Sequence, residues 1–190
     1  MVTAERPPSL PSIEVLDGIP AGAFAATMAP LFEGAPRFLG RLAHARPFES
    51  LDELFDRARR IAHDMPAAEQ VELIDAHPRL GAPPAGISAL SLIEQGYERE
   101  AADTAARDAV EERDRVAAQL DRLNTAYEER FGFRYCVFVN GRSRGELVPE
   151  LEAALGSTRE DEIARAIDAV IDIARDRAAR LGTTPAKETP

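Results

Sequence analysis

A chain of 190 residues with 45% hydrophobic and 29% charged side chains has the size and balance of one soluble globular domain with room for a core. Its 33 acidic residues outnumber 23 basic ones, a formal charge of −10. That balance excludes general binding to nucleic acid or to anionic membranes, which both need clustered Lys and Arg.

Residues 1–11, with Pro7, Pro8 and Pro11, read as an unstructured tail, and 183–190 as another. Residues 1–8 lack the apolar core of a secretory signal, and the uncharged stretch 18–32, interrupted by Pro20 and Pro30, is too short for a bilayer. We therefore expect a cytoplasmic protein. Between the tails, 12–182 forms one domain without linker or repeat. Its first helices are predicted over 12–32 and 36–45. Ser50-Leu-Asp-Glu53 is a capping box, whose hydroxyl and carboxylate satisfy orphan amides of a first helical turn. Leu51, Leu54, Phe55, Ala58 and Ile61 follow at helical spacing until Pro66. Further helices are predicted over 67–75, 90–101 and 106–130, the last carrying a charge run, Glu111 to Arg115, that reads as a solvated face. Two more capping boxes, Ser143-Arg-Gly-Glu146 and Ser157-Thr-Arg-Glu160, open the final helices, and Gly182 stops the last. Only 135–139 has strand character; without a pairing partner it is expected as an extended, buried connector. The fold class is all-α, a single compact bundle of roughly seven or eight helices.

Three places could hold chemistry. Among the three histidines, His44 and His63 lie near predicted helix ends, where a cationic ring complements the dipole. His77 lies in Ile74-Asp-Ala-His-Pro-Arg-Leu-Gly81, fixed between a helix end and Pro78. A ring so held is a usable proton donor or acceptor, or equally a C-cap that bonds terminal carbonyls. Ser91-Leu-Ile-Glu94-Gln95 reads first as another capping box. Alternatively Glu94 turns to a substrate as acid, base or acceptor, and Gln95 offers an amide or ureide both a donor and an acceptor. The 135–139 run is a core-crossing connector, or one that lends unpaired backbone groups to a heterocycle. No His pair has zinc-ligand spacing, and the single Cys136 excludes a multi-cysteine metal site and an intrachain disulfide framework.

The ordered set His-Pro-Arg-Leu-Gly, Ser-x-x-Glu-Gln, then Phe-Gly-Phe and a hydrophobic run into Gly-Arg resembles the 2-oxo-4-hydroxy-4-carboxy-5-ureidoimidazoline (OHCU) decarboxylase family of urate degradation. Phe32-Glu33, Arg46-Pro-Phe48 and Ser50-Leu-Asp-Glu-Leu54 resemble its early segment, so the similarity runs from about 14 to 181. The resemblance implies an all-helical, cofactor-free, homodimeric enzyme that converts OHCU to (S)-allantoin and CO2. It implies catalytic roles for His77 and Glu94, and substrate contacts from Pro78, Ser91, Gln95 and the backbone of Tyr135, Cys136, Val137, Phe138 and Val139. No metal, nucleic acid or membrane partner is implied. The chain departs from the family pattern where Arg134 and Tyr135 replace Pro-Phe, where Asn140 replaces a basic residue, and in the charged stretch 97–118. These departures keep two alternatives open, a decarboxylase-like enzyme for another ureide or heterocyclic acid, and a non-catalytic helical binding protein.

Overall fold

The computed structural model describes residues 9–97 and 107–184. The outer parts of both predicted tails, 1–8 and 185–190, lie outside the described residues, as does 98–106, which takes in the end of the predicted 90–101 helix and part of the charged stretch 97–118. Nine α-helices carry the described fold, α1 (Ile13–Gly18), α2 (Ala21–Met28), α3 (Pro36–His44), α4 (Leu51–Asp64), α5 (Ala67–Asp75), α6 (Ala89–Glu94), α7 (Arg107–Phe131), α8 (Arg144–Ala154) and α9 (Arg159–Leu181). The all-α expectation holds, with helices shorter and more numerous than the sequence pattern gives. Pro20 explains one extra helix: it leaves Ile19 extended and starts α2 afresh, so the predicted 12–32 helix becomes two. A 3₁₀ turn, Ala29–Leu31, closes this stretch.

The inner parts of the tails are ordered. Leu10 and Pro11 pair in parallel with Thr183 and Thr184, and the Leu10 amide donates to the Gly182 carbonyl at 2.9 Å. Leu10 is 3% exposed, so a single apolar side chain among prolines is enough to seat this end on the core.

α9 organises the rest. It packs against α4, α5 and the Ala29–Leu31 turn, and buries Ile163, Ile167, Val170, Ile171 and Ala174 as its spacing predicts. Each such aliphatic burial contributes roughly 1.5–3 kcal/mol. The α9 cap is Thr158, whose hydroxyl accepts from the Asp161 amide, one residue along from the predicted Ser157–Glu160 box. Ser143–Glu146 is a full capping box. At Ser50 the hydroxyl caps Glu53, while the Glu53 carboxylate accepts from Glu49 rather than from the cap. Arg46 ties the early helices together, donating to carbonyls of Leu16, Ile19 and Ala43.

The connector from α7 to α8 crosses the core as expected. Gly132, at φ +77°, ends α7. Tyr127, Phe131, Phe133 and Tyr135 then stack in a cluster with ring centroids 4.6–6.2 Å apart. With no neighbouring strand among the described residues, the segment is held by side chains: Arg165 donates to the Cys136 carbonyl, and Arg142 to those of Phe138 and Val139. Asn140 and Gly141, at φ +47° and +77°, turn the chain out toward α8. Asn is one of the few side chains that tolerates this conformation, which gives the Asn140 departure a backbone reason.

Candidate active site

His77 follows the end of α5 and is 3% exposed. Its Nδ1 lies 3.4 Å from the Leu73 carbonyl, while Nε2 is buried without a protein partner. Burial, reinforced by the Arg177 guanidinium, pushes its pKa down to about 4. The ring is therefore neutral near pH 7 and offers an imidazole nitrogen as a proton acceptor. His44 and His63 have ordinary surface partners, the Gly40 carbonyl and the Asp168 carboxylate.

Ser91 and Glu94 do not form the capping box that their spacing suggests. The α6 cap is Ser88, whose hydroxyl accepts from the Ser91 amide. That frees Ser91 to donate to Glu33 and accept from Arg177. Glu94 turns inward and accepts from the Val139 amide at 3.0 Å. Burial outweighs this hydrogen bond and the nearby Arg177, and pushes its carboxyl up to about 7. Gln95 grips the loop after His77: its carbonyl accepts from the Gly81 amide, and its amide donates to the Arg79 carbonyl. One N–H and one lone pair remain for anything else.

These residues meet in one narrow cleft with only about 20 Å³ of free space, lined by His77, Pro78, Leu80, Ser91, Glu94, Gln95, Tyr135, Cys136, Val137, Val139, Ile173 and Arg177. Of the expected site residues only Phe138 lies off this lining. It borders a second hollow that shares Glu94 and is edged by Asn140, Asp176 and Arg180. Among the described residues, the amides of Cys136, Val137 and Phe138 donate to no protein acceptor. Burial pushes the Cys136 thiol up to about 12, so it supplies no thiolate at neutral pH. The Tyr135 hydroxyl is buried without a partner, and the Arg165 guanidinium stacks 4.5 Å from its ring. Among the described residues, no three His, Cys, Asp or Glu side chains converge as a metal site would require.

A buried carboxyl and a buried imidazole, displaced in opposite directions in one cleft, form an acid–base arrangement. A sequence profile of OHCU decarboxylase matches residues 17–179. The chain belongs to the OHCU decarboxylase family. It is 29% identical over 149 residues to the 2-oxo-4-hydroxy-4-carboxy-5-ureidoimidazoline decarboxylase of Haloferax volcanii, covering 78% of this chain and 83% of that one. It is 31% identical over 167 residues to the uric acid degradation bifunctional protein PucL of Bacillus subtilis, covering 86% of this chain and 32% of that protein. Two crystal structures share the fold. An OHCU decarboxylase crystallised with (S)-allantoin has TM-score 0.61 and 21% identity, over 80% of this chain and 94% of that one. An (S)-allantoin synthase has TM-score 0.62 and 19% identity, over 90% of this chain and 54% of that one. The chain thus spans about half of that synthase and a third of the bifunctional protein.

In this OHCU decarboxylase family member two further charged groups, Arg177 in the cleft lining and Glu33 behind it, were missed by the site reading from sequence. Arg177, 1% exposed, reaches in from α9 and donates to Ser91 at 2.8 Å and to the Pro30 and Leu31 carbonyls, while its Nε is buried without a partner. Glu33, in a left-handed turn at φ +50°, accepts from Ser88 and Ser91 and forms an ion pair with Arg177. Burial works to raise the Glu33 pKa, but these hydrogen bonds and the Arg177 charge hold it below the ordinary carboxylate value. The sequence carried a signal for Arg177, since it falls on the buried stripe of the last helix among Ile173 and Ala174.

Proposed function

We propose that the chain converts OHCU to (S)-allantoin and CO2 without a cofactor, with His77 and Glu94 as the acid–base pair. The observation that carries this reading is their opposite displacement in one cleft: an imidazole kept neutral as acceptor, and a carboxyl that keeps a proton up to about pH 7 as donor.

The reacting carbon bears a carboxylate and a hydroxyl, next to a carbon–nitrogen double bond of the ring. When the bond to CO2 breaks, its electron pair forms a new carbon–carbon double bond and the imine pair moves to nitrogen, which takes a proton. The resulting enol passes its hydroxyl proton to a base, and the adjacent carbon takes one proton on one face. One proton is consumed overall. His77 Nε2 is the acceptor for the hydroxyl proton, and Glu94 the acid that returns one. The Arg177 Nε–H faces the departing carboxylate, and the amides of Cys136, Val137 and Phe138 bind ring and ureide carbonyls. Ser91 and Gln95 hold the guanidinium and the His77 loop, and Pro78 packs against the ring.

We extend the reading to a cytoplasmic homodimer acting on this small molecule, with neither nucleic-acid nor membrane partner. Among the described residues no helix is long and apolar enough to cross a membrane. Light scattering on the purified protein checks the dimer.

The deciding experiment follows circular dichroism on freshly generated OHCU with wild type, His77→Ala and buffer. Optically active (S)-allantoin should appear quickly with wild type, and roughly 10²–10⁴-fold more slowly with the variant. Equal rates in both proteins would remove His77 from the chemistry. A folded wild type no faster than buffer would refute OHCU as the substrate.

A further inference from the structure

The helix that delivers His77 ends without its own cation. α5 has no basic residue in its last turn, yet its terminal carbonyls crowd the turn on which His77 sits. Arg134, the exposed residue just before the 135–139 wall, supplies what is missing. Its backbone amide donates to the Asp75 carboxylate at 2.8 Å. Its guanidinium NH1 donates to the Asp75 carbonyl at 2.8 Å and to the His77 carbonyl at 3.1 Å. One residue thus binds the last position of the helix and the candidate catalytic residue, and it is joined directly to Tyr135, where the substrate wall begins. Gln95 and Asn124 hold the far side of the same turn through the Arg79, Leu80 and Gly81 backbone. Among the described residues, the Arg134 guanidinium is the one donor to the His77 carbonyl. Proline, the residue of the family pattern noted at this position, has neither an amide hydrogen nor a guanidinium, so it can make none of the three bonds.

We propose that Arg134 is a positioning residue that clamps the His77 turn to the 135–139 wall and so fixes the imidazole in the cleft. The inference rests on the acid–base role of His77 proposed above. An arginine suits the task because its planar group serves two carbonyls at a helix C-terminus, where a positive charge is also favoured. The side chain itself is exposed, so its removal opens no cavity, and its effect passes through the placement of His77. Around the ring stand Arg177 from α9, Glu33 from the turn before α3, Glu94 from α6 and the Cys136 thiol from the wall. None of these is hydrogen-bonded to Arg134, whose bonds go to Asp75 and His77, so the charge-keeping Arg134→Lys separates the clamp from the loss of a nearby cation in the His77 titration.

The test uses the full chain, Arg134→Met, Arg134→Lys and Arg134→Gln. With only three histidines, NMR titration resolves His77 separately. In Arg134→Met the His77 midpoint should rise from near 4 by about one unit as water reaches the loosened ring, with His44 and His63 unmoved. On OHCU, kcat should fall roughly 10-fold with KM within about twofold, the mark of a misplaced group rather than lost binding. Arg134→Lys, with the charge but a shorter stem, should recover part of kcat. A folded Arg134→Met with wild-type midpoint and kcat would overturn the proposal. So would full recovery of both by Arg134→Lys, since charge alone would then suffice. If Arg134→Met does not fold, Arg134→Gln, polar at an exposed position, carries the same two readouts. The midpoint needs no substrate, so an inactive wild type would refute the decarboxylase reading and leave the clamp to be decided by NMR.

Discussion

α9 carries the same chemical pairing on two faces, once in water and once in the cleft. Outside, Arg59 bridges Asp168 and Asp172 at 2.5 and 2.6 Å, with His63 adding to Asp168 and Arg175 reaching Asp56. Inside, Arg177 meets Glu33 at 2.9 Å, with side-chain exposures of 2% and 16% against 32% and 48% for Arg59 and Asp168. The distances are alike, and the surroundings decide what each pair does. The outer charges remain hydrated, and their attraction merely replaces water contacts. The inner pair has given up much of that hydration, so each charge depends on its partner and on Ser88, Ser91 and the Pro30 and Leu31 carbonyls. A short ion pair on this helix is thus a surface ornament or a fixed electrostatic element according to burial alone.

Removing one partner from each side tests that contrast most directly. Arg177→Met should cost about 3 kcal/mol, because it strands the Glu33 carboxylate in a desolvated turn. Urea unfolding measures this, and a cost under about 1 kcal/mol would mean that water already reaches the pair.

Titration gives a second, somewhat smaller contrast. Glu94 is raised from 4.5 to about 7 on folding, so it favours the folded state at low pH, and that benefit is lost as pH rises through 7. His77 is lowered from 6.5 to about 4, so its folded form loses stability as pH falls from 6.5 toward 4. In the wild type the two slopes oppose each other between these limits. Glu94→Gln should expose the His77 slope, with stability climbing by about 2–3 kcal/mol from pH 4 to 6.5. A flat profile in that variant would show that His77 titrates normally. The same values set the activity window of the wild type, with kcat falling below about pH 4 as His77 gains a proton and above about pH 7 as Glu94 loses one.

The smallest effect belongs to the outer face. Arg59→Met should cost about 1 kcal/mol or less, and less again in 1 M salt, where screening acts within about 3 Å. A salt-independent loss as large as that of Arg177→Met would abolish the distinction between the two faces.

Local order was the legible part of this sequence. Pro66, Gly132, Gly182 and the Ser143–Glu146 box mark real boundaries because each acts on the backbone within one turn. Pro20 carried an equally local signal that the apolar stretch around it masked. Ser91 shows the limit of spacing: Ser88 and Ser91 both precede plausible first turns, and only the fold decides that Ser88 caps while Ser91 serves Arg177. The buried network was harder to see. Arg177 shows in the sequence only as a charge on an apolar stripe, and Glu33 is an ordinary charged letter, until the Ala29–Leu31 turn packs on α9 and brings them together. Arg134 and Asn140, which stand out as departures from a pattern, acquire reasons only once carbonyl positions and a positive φ are known.

The short parallel pairing of Leu10 and Pro11 with Thr183 and Thr184 has an architectural consequence. Neighbouring strands run about 4.8 Å apart, so the chain enters and leaves the folded body through one doorway. Because the pairing is parallel, the chain enters this pair at one end and leaves it at the other, so the two sides head in opposite directions along it. The molecule is built as a plug-in unit: it can be carried within a longer polypeptide, as the match to a third of the bifunctional Bacillus subtilis protein illustrates, without rerouting any helix that shapes the cleft.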